Sequence, residues 1–109
     1  MGYYSSVEYD IKVKPEKIEE FNKAVKEVFK GSVFEELRAD KDGWLEYERG
    51  DYYRKHYDTD PFILFLKEYT GDGFVYFRGE DGEDWGYEVT NGKVFLLGLT
   101  WKRVGVEVK

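Results

Sequence analysis

With 109 residues, a net charge of −6 and no cysteine, the chain holds one domain's worth of sequence, and neither a disulfide framework nor a cysteine-based zinc site can form. Its longest apolar run, Phe62-Ile63-Leu64-Phe65-Leu66, falls far short of the roughly 20 residues that a membrane helix needs. The acidic balance works against generic binding to phosphate backbones or anionic membranes.

Residues 3–14 alternate, with Val7, Tyr9, Ile11 and Val13 on one face and Glu8, Asp10, Lys12 and Lys14 on the other, which predicts a half-buried strand. Pro15 suits the first turn of a helix, and Glu16, Glu19 and Glu20 suit the positive end of its dipole. Ile18, Phe21, Val25, Val28 and Phe29 follow at helical spacing, with Gly31 placed to end a helix over 15–30. Ser32-Val33-Phe34-Glu35 has the capping-box pattern and predicts a short helix over 33–39. Asp40-Lys41-Asp42-Gly43 reads as a turn. Residues 44–48 and 52–57 read as a hairpin around Arg49-Gly50-Asp51.

Residues 60–70 admit two readings. Asp60 and Pro61 resemble an N-cap and a first helical residue, and Gly71 could close the helix, whereas the run over 62–66 also fits a buried strand. The caps favour the helix. Residues 74–77 form a strand, and residues 84–89 and 93–97 form a hairpin whose Asn91-Gly92 suits a type I′ turn. Residues 99–108 extend the hairpin or add a strand. The fold class is therefore α+β, a single domain over 1–109. Its order is the ferredoxin-like β-α-β-β-α-β with an added C-terminal β-hairpin, giving an antiparallel sheet with helices on one face. Were 60–70 a strand, the fold would be one helix on a meandering sheet.

Candidate chemistry is sparse. On an extended strand His56, Asp58 and Asp60 would face one way and could meet a divalent metal, but no second histidine exists and Asp60 suits the cap. The acidic loops at 40–43 and 80–84 lack the calcium-loop pattern. Ser5, Ser6 and Ser32 lack a nucleophile-elbow context, and Gly71-Asp72-Gly73 lacks the glycines and lysine of a phosphate loop. No catalytic residue, metal or cofactor is assigned. Thr70-Gly71-Asp72-Gly73-Phe74-Val75-Tyr76-Phe77 resembles the RNP1 motif of RNA-recognition domains. Thr70 replaces its basic residue, however, and Asp72 replaces a stacking aromatic with a charge that repels RNA.

The aromatic content of 19% is the broadest lead. Tyr3, Tyr4, Tyr52, Tyr53, Tyr57, Trp85, Tyr87 and Trp101 fall on strands or their ends, and helices cover one sheet face only. Exposed Tyr and Trp suit a protein interface. Residues 78–88 hold five acids against Arg78, which adds a charged loop at the edge of that face. The expected contact residues are therefore Tyr53, Tyr57, Trp85, Tyr87, Glu80, Asp81, Glu83 and Asp84. The absence of Gln and Cys, with only Asn22 and Asn91 among thermolabile amides, matches the composition of thermophile proteins.

Two resemblances add to this. Met1-Gly2-Tyr3-Tyr4-Ser5, Lys67-Glu68-Tyr69, residues 74–87 and Asn91-Gly92-Lys93-Val94 resemble a group of small phage and prophage proteins. That group has no established activity. The likeness spans most of the chain and implies a mobile-element origin and a small protein that binds and modulates a host or viral partner. Residues 7–29, with Lys14-Pro15-Glu16 and Phe21, resemble the start of dimeric ferredoxin-like monooxygenases over about a fifth of the chain. The sequence thus points to a cytoplasmic, non-enzymatic binding domain with a protein partner or a second copy of itself. Alternatives are a small-ligand binder or enzyme with His56 or a tyrosine in an apolar pocket, and a single-stranded nucleic-acid binder. No membrane contact is expected.

Overall fold

Alternation in the first segment produces β1 (Ser5–Asp10), with Ser5 and Val7 buried and Glu8 and Asp10 exposed. The computed structural model, which describes residues 4–49, 53–80, 82–98 and 103–109, continues this edge as single bridges. These join Lys12 to Trp44 and Val13 to Thr70. Gly43 permits this approach. Its φ is +91°, and a Cβ there would lie 2.3 Å from the Val13 carbonyl oxygen, so no other residue fits.

The helix expected over 15–30 is shorter. A 3-10 turn at Pro15–Lys17 leads into α1 (Ile18–Val28). Phe21 and Val25 are buried, whereas Val28, counted on the apolar face by spacing, is 61% exposed. Ser32 caps as expected, its Oγ accepting from Phe34 N at 3.2 Å. The helix beyond it is only a 3-10 turn, Val33–Glu36, and the chain then extends into β2 (Leu37–Ala39).

β2 pairs with β3 (Leu45–Tyr47) as a separate two-stranded ribbon, so the hairpin expected around residues 49–51 does not form as drawn. Its second arm is β4 (Tyr53–Arg54), which pairs with β1 instead. Residues 50–52 lie outside the described residues. Asn22 ties α1 to the ribbon: its Nδ2 donates to the Ala39 carbonyl (3.1 Å) and its Oδ1 accepts from Ala39 N (2.7 Å). Asn22→Ala would orphan both groups on a buried residue. A loss of about 1–2 kcal/mol in urea-unfolding free energy is expected, without change in the denaturant slope.

Residues 60–70 are helical in their first part. α2 (Thr59–Leu66) buries Phe62, Ile63 and Leu66, and its all-round apolar character reflects contact with the core on several sides. It begins one residue before the expected cap. Asp58 adopts a left-handed conformation (φ +53°) and makes no side-chain cap.

β5 (Gly73–Gly79), β6 (Asp84–Thr90), β7 (Lys93–Leu97) and β8 (Arg103–Val108) follow as a meander. The Asn91-Gly92 turn forms as expected, with φ of +51° and +75°. Residues 99–102 lie outside the described residues.

The α+β class stands, and the described residues form a six-stranded sheet in the order β4-β1-β5-β6-β7-β8. Its pairing departs from the ferredoxin-like arrangement. A βαβ crossover makes strands parallel, but β1 meets both β4 and β5 antiparallel, as do all other neighbours. The reason is local: β2 and β3 satisfy each other, which leaves the position beside β1 to β5. One continuous core joins Val7, Phe21, Phe34, Phe62, Val75, Phe77, Tyr87 and Val94. Among the described residues no helix is long and apolar enough to cross a membrane.

Candidate functional site

The aromatics expected on the open sheet face divide between two other places. Trp85 and Tyr87 point to the covered face, where they fasten the first turn of α2. Trp85 Nε1 donates to Thr59 Oγ1 at 3.3 Å, the Thr59 hydroxyl meets Tyr87 Oη at 2.7 Å, and Tyr87 donates to Asp60. Trp85 also stacks on Phe77 (5.1 Å, 9°). Burial, followed by the Asp60 carboxylate, raises the Tyr87 phenol well above its usual range. Tyr57 is 51% exposed but lies on the rim of a cleft, away from the sheet. Asp81 and the side chain of Tyr53 lie outside the described residues.

Part of the acidic loop is structural. Glu80 accepts from Tyr4 N at 3.1 Å and its own N–H donates to Tyr4 O at 3.0 Å. Glu83 is exposed, and Asp84 belongs to β6, opposite Arg78. The loop at 40–43 likewise serves itself, since Asp40 Oδ1 accepts from Asp42 N (2.8 Å) and Trp44 N (3.0 Å). In the RNP1-like segment, Asp72 braces the β6–β7 turn by accepting from Asn91 N at 3.1 Å. No group of three or more acidic, histidine or cysteine side chains among the described residues could hold a metal.

His56 is buried (6% exposed) and bonded at both nitrogens: Nδ1 to Ser5 Oγ at 2.8 Å and Nε2 to Tyr47 Oη at 2.8 Å. Tyr9 Oη reaches Tyr47 Oη at 3.2 Å, and Ser5 Oγ donates to the Arg54 carbonyl at 3.4 Å. A neutral ring protonated on Nδ1 satisfies this whole chain, with Tyr47 donating to Nε2. Burial pushes the imidazole down to about 4, and the Arg54 charge adds to that. His56 is therefore neither a metal ligand nor a pocket base. It links β1, β3 and the segment before α2.

Above it the Arg54 guanidinium lies over the Tyr47 ring (4.7 Å) and bonds Glu36 at 2.8 Å, while Arg49 bonds the same carboxylate at 2.9 and 3.1 Å. The two guanidiniums hold Glu36 down at about 2, so it stays ionised. These residues form one wall of an open cleft of about 970 Å³ between the α1–β2 connection and the β4–α2 segment. Phe29, Val33, Tyr57 and Pro61 supply apolar surface there, with buried Phe34 beneath them.

The sheet face turned away from the core carries half-buried aromatics in a pattern that single strands do not reveal. Registered across five strands, Asp10, Phe74, Glu88, Phe95 and Glu107 form one row in which carboxylate and phenyl alternate. In the next row Glu8 faces Tyr76, Tyr76 faces Gly86, and Gly86 faces Leu97, which is buried (3% exposed), so this row is closed toward β7. Phe74 and Tyr76 stack at 5.8 Å and 8°. Desolvation, then the carboxylates of Asp10, Glu8 and Glu88, raises the Tyr76 phenol. The opposite parity of Phe74 and Tyr76 to buried Val75 and Phe77 was the available signal, because it shows β5 to be apolar on both faces.

The chain matches no protein-family model, no curated protein and no solved structure.

Proposed function

We propose that this protein is a non-enzymatic binding domain whose outer sheet face docks a cationic segment of a partner protein. The alternating row of Asp10, Phe74, Glu88, Phe95 and Glu107 carries this reading. Strands lie about 4.8 Å apart, so carboxylates on every second strand recur at about 10 Å. Side chains seven residues apart on a helix recur at about 10.5 Å. A helix laid across the strands, with Lys or Arg at that interval and apolar residues between, would meet carboxylate and ring in turn. Cation–π contact with Tyr76 and Phe74 adds to the ion pairs. A second copy docking by the same face would set carboxylates against carboxylates, which favours a different protein as partner. RNA and DNA are disfavoured for the same reason.

The test is a titration of the labelled protein with a helical peptide carrying Lys at seven-residue intervals, beside a scrambled peptide of equal composition. Amide shifts are expected to concentrate on β1, β5, β6, β7 and β8, and the scrambled peptide should bind at least about tenfold more weakly, or roughly 1.4 kcal/mol. Equal binding of both peptides, or shifts centred elsewhere, would reject the reading.

A further inference from the structure

The cleft between the α1–β2 connection and the β4–α2 segment has the opposite electrostatic character from the sheet face. On a chain of net charge −6, its lining holds Lys30, Arg49, Arg54 and Lys55 against three carboxylates. Two of those carboxylates are used within the wall. Glu36 is shared by Arg49 and Arg54, and Glu35 Oε1 accepts from Gly31 N at 2.9 Å. Among the described residues Lys30 and Lys55 have no carboxylate partner, and the Lys55 ammonium rests 5.3 Å over the Tyr4 ring.

Between these cations the surface is aromatic and aliphatic. Tyr4 and Tyr57 are 43% and 51% exposed, and Phe29 and Val33, backed by buried Phe34, form the side toward α1. The Phe34 ring is held in place by parallel stacking on Phe62 at 3.8 Å and 4°. The volume of about 970 Å³ lies at the upper end of the range for small-ligand sites, and a few convergent charges on an apolar lining are their usual make-up.

We infer that this cleft binds an amphiphilic organic anion: an aromatic or branched apolar body bearing a carboxylate. The body lies against Tyr4, Tyr57 and Phe29, and the carboxylate lies between the ammonium groups of Lys30 and Lys55. A free organic acid and the C-terminal residue of a peptide share this chemistry. The site is independent of the sheet face, and either can fail without the other.

Titration of the labelled protein with 3-phenylpropionate is expected to give saturable shifts at residues 29–36 and 54–61. The neutral 3-phenylpropionamide should bind at least about tenfold more weakly, because the ammonium groups then meet no charge. The exposed double substitution Lys30→Glu with Lys55→Glu should weaken the acid by a similar factor. Lys41→Glu, a single charge reversal at an exposed lysine outside the cleft lining, should leave acid binding unchanged. A peptide ending in Leu-Phe with a free carboxylate, compared with its C-terminal amide, separates the two sources. Tighter binding of the free-acid peptide than of 3-phenylpropionate would assign the site to a peptide terminus, and the reverse to a free acid. Equal binding of acid and amide, no saturable shift at millimolar acid, or indifference to the double substitution would overturn the inference.

Discussion

Replacing Phe34 with alanine is expected to lower the unfolding free energy by about 3–5 kcal/mol, the largest effect of any single substitution considered. Phe34 is 1% exposed and stands where four structural parts meet. Its ring stacks flat on Phe62 of α2, packs edge-on against Phe29 at 5.9 Å, and lies 5.8 Å from the His56 ring. Three of its contacts are rings already fixed by other partners, so the surroundings can collapse only partly into the space left. Phe29 meets Phe62 and Phe65, and His56 is bonded at both nitrogens. For a chain of this size the loss corresponds to a fall in Tm on the order of 10–20 °C. Phe34→Leu, which refills much of the volume, should recover a large part of it, and thermal unfolding followed by circular dichroism reads both. A cost below about 1 kcal/mol for Phe34→Ala would mean that the ring stack contributes little to the fold.

Acidification is expected to cost nearly as much through one side chain. The folded imidazole of His56 titrates at about 4, against 6.5 when exposed. The unfolded chain therefore takes up the proton first as pH falls. The stability this neutral histidine provides is complete above about 6.5 and is lost through the window from 6.5 down to 4. Integrated from pH 7 to 4, the loss is about 3 kcal/mol. Protonation also breaks the directional chain, because Nε2 can no longer accept from Tyr47. Glu36, held down at about 2, adds a separate loss below about 4.5 as its two arginine partners are released. Urea unfolding across pH, for the protein and for His56→Gln, separates these contributions. Gln keeps a donor and an acceptor but does not titrate, so its stability should vary less steeply between 6.5 and 4, by up to one proton. Parallel pH profiles would show that His56 does not carry the acid sensitivity.

The contrast between these residues shows which levels of structure the sequence discloses. Local signals held where the chain satisfies itself within a few residues. Asn91-Gly92 forms the expected turn, Ser32 caps its 3-10 turn, and Val7 in β1 and Ile11 and Val13 just beyond it are buried as their alternation predicts, although the strand itself ends at Asp10. Signals that depend on distant partners did not transfer. Residues 37–39 leave the expected helix because β3 offers them a strand partner, and Asn22 then locks that ribbon to α1. Pairing of β2 with β3 in turn leaves β1 to β5, which removes the ferredoxin-like order.

The same limit governed the site. Trp85 and Tyr87 have the composition of interface residues, but β6 register turns them toward Thr59 and Asp60, where their polar atoms are used. Phe74 and Tyr76 alternate with buried Val75 and Phe77 in one apolar run, so β5 by itself marks no binding face. The acids that frame them, Glu8, Asp10 and Glu88, come from other strands and could not be joined to them without the register.

In the proposed docking, the alternating carboxylate and phenyl row of the outer sheet face recognises a cationic segment by its spacing. This recognition is tested most directly by the titration with the seven-residue-interval Lys peptide and its scrambled control, repeated on Glu88→Lys. Amide shifts confined to the outer residues of β1, β5, β6, β7 and β8 are expected, with a preference of at least about tenfold for the spaced peptide. That preference should be lost in Glu88→Lys. Equal affinity for the two peptides, or a preference that survives Glu88→Lys, would contradict it.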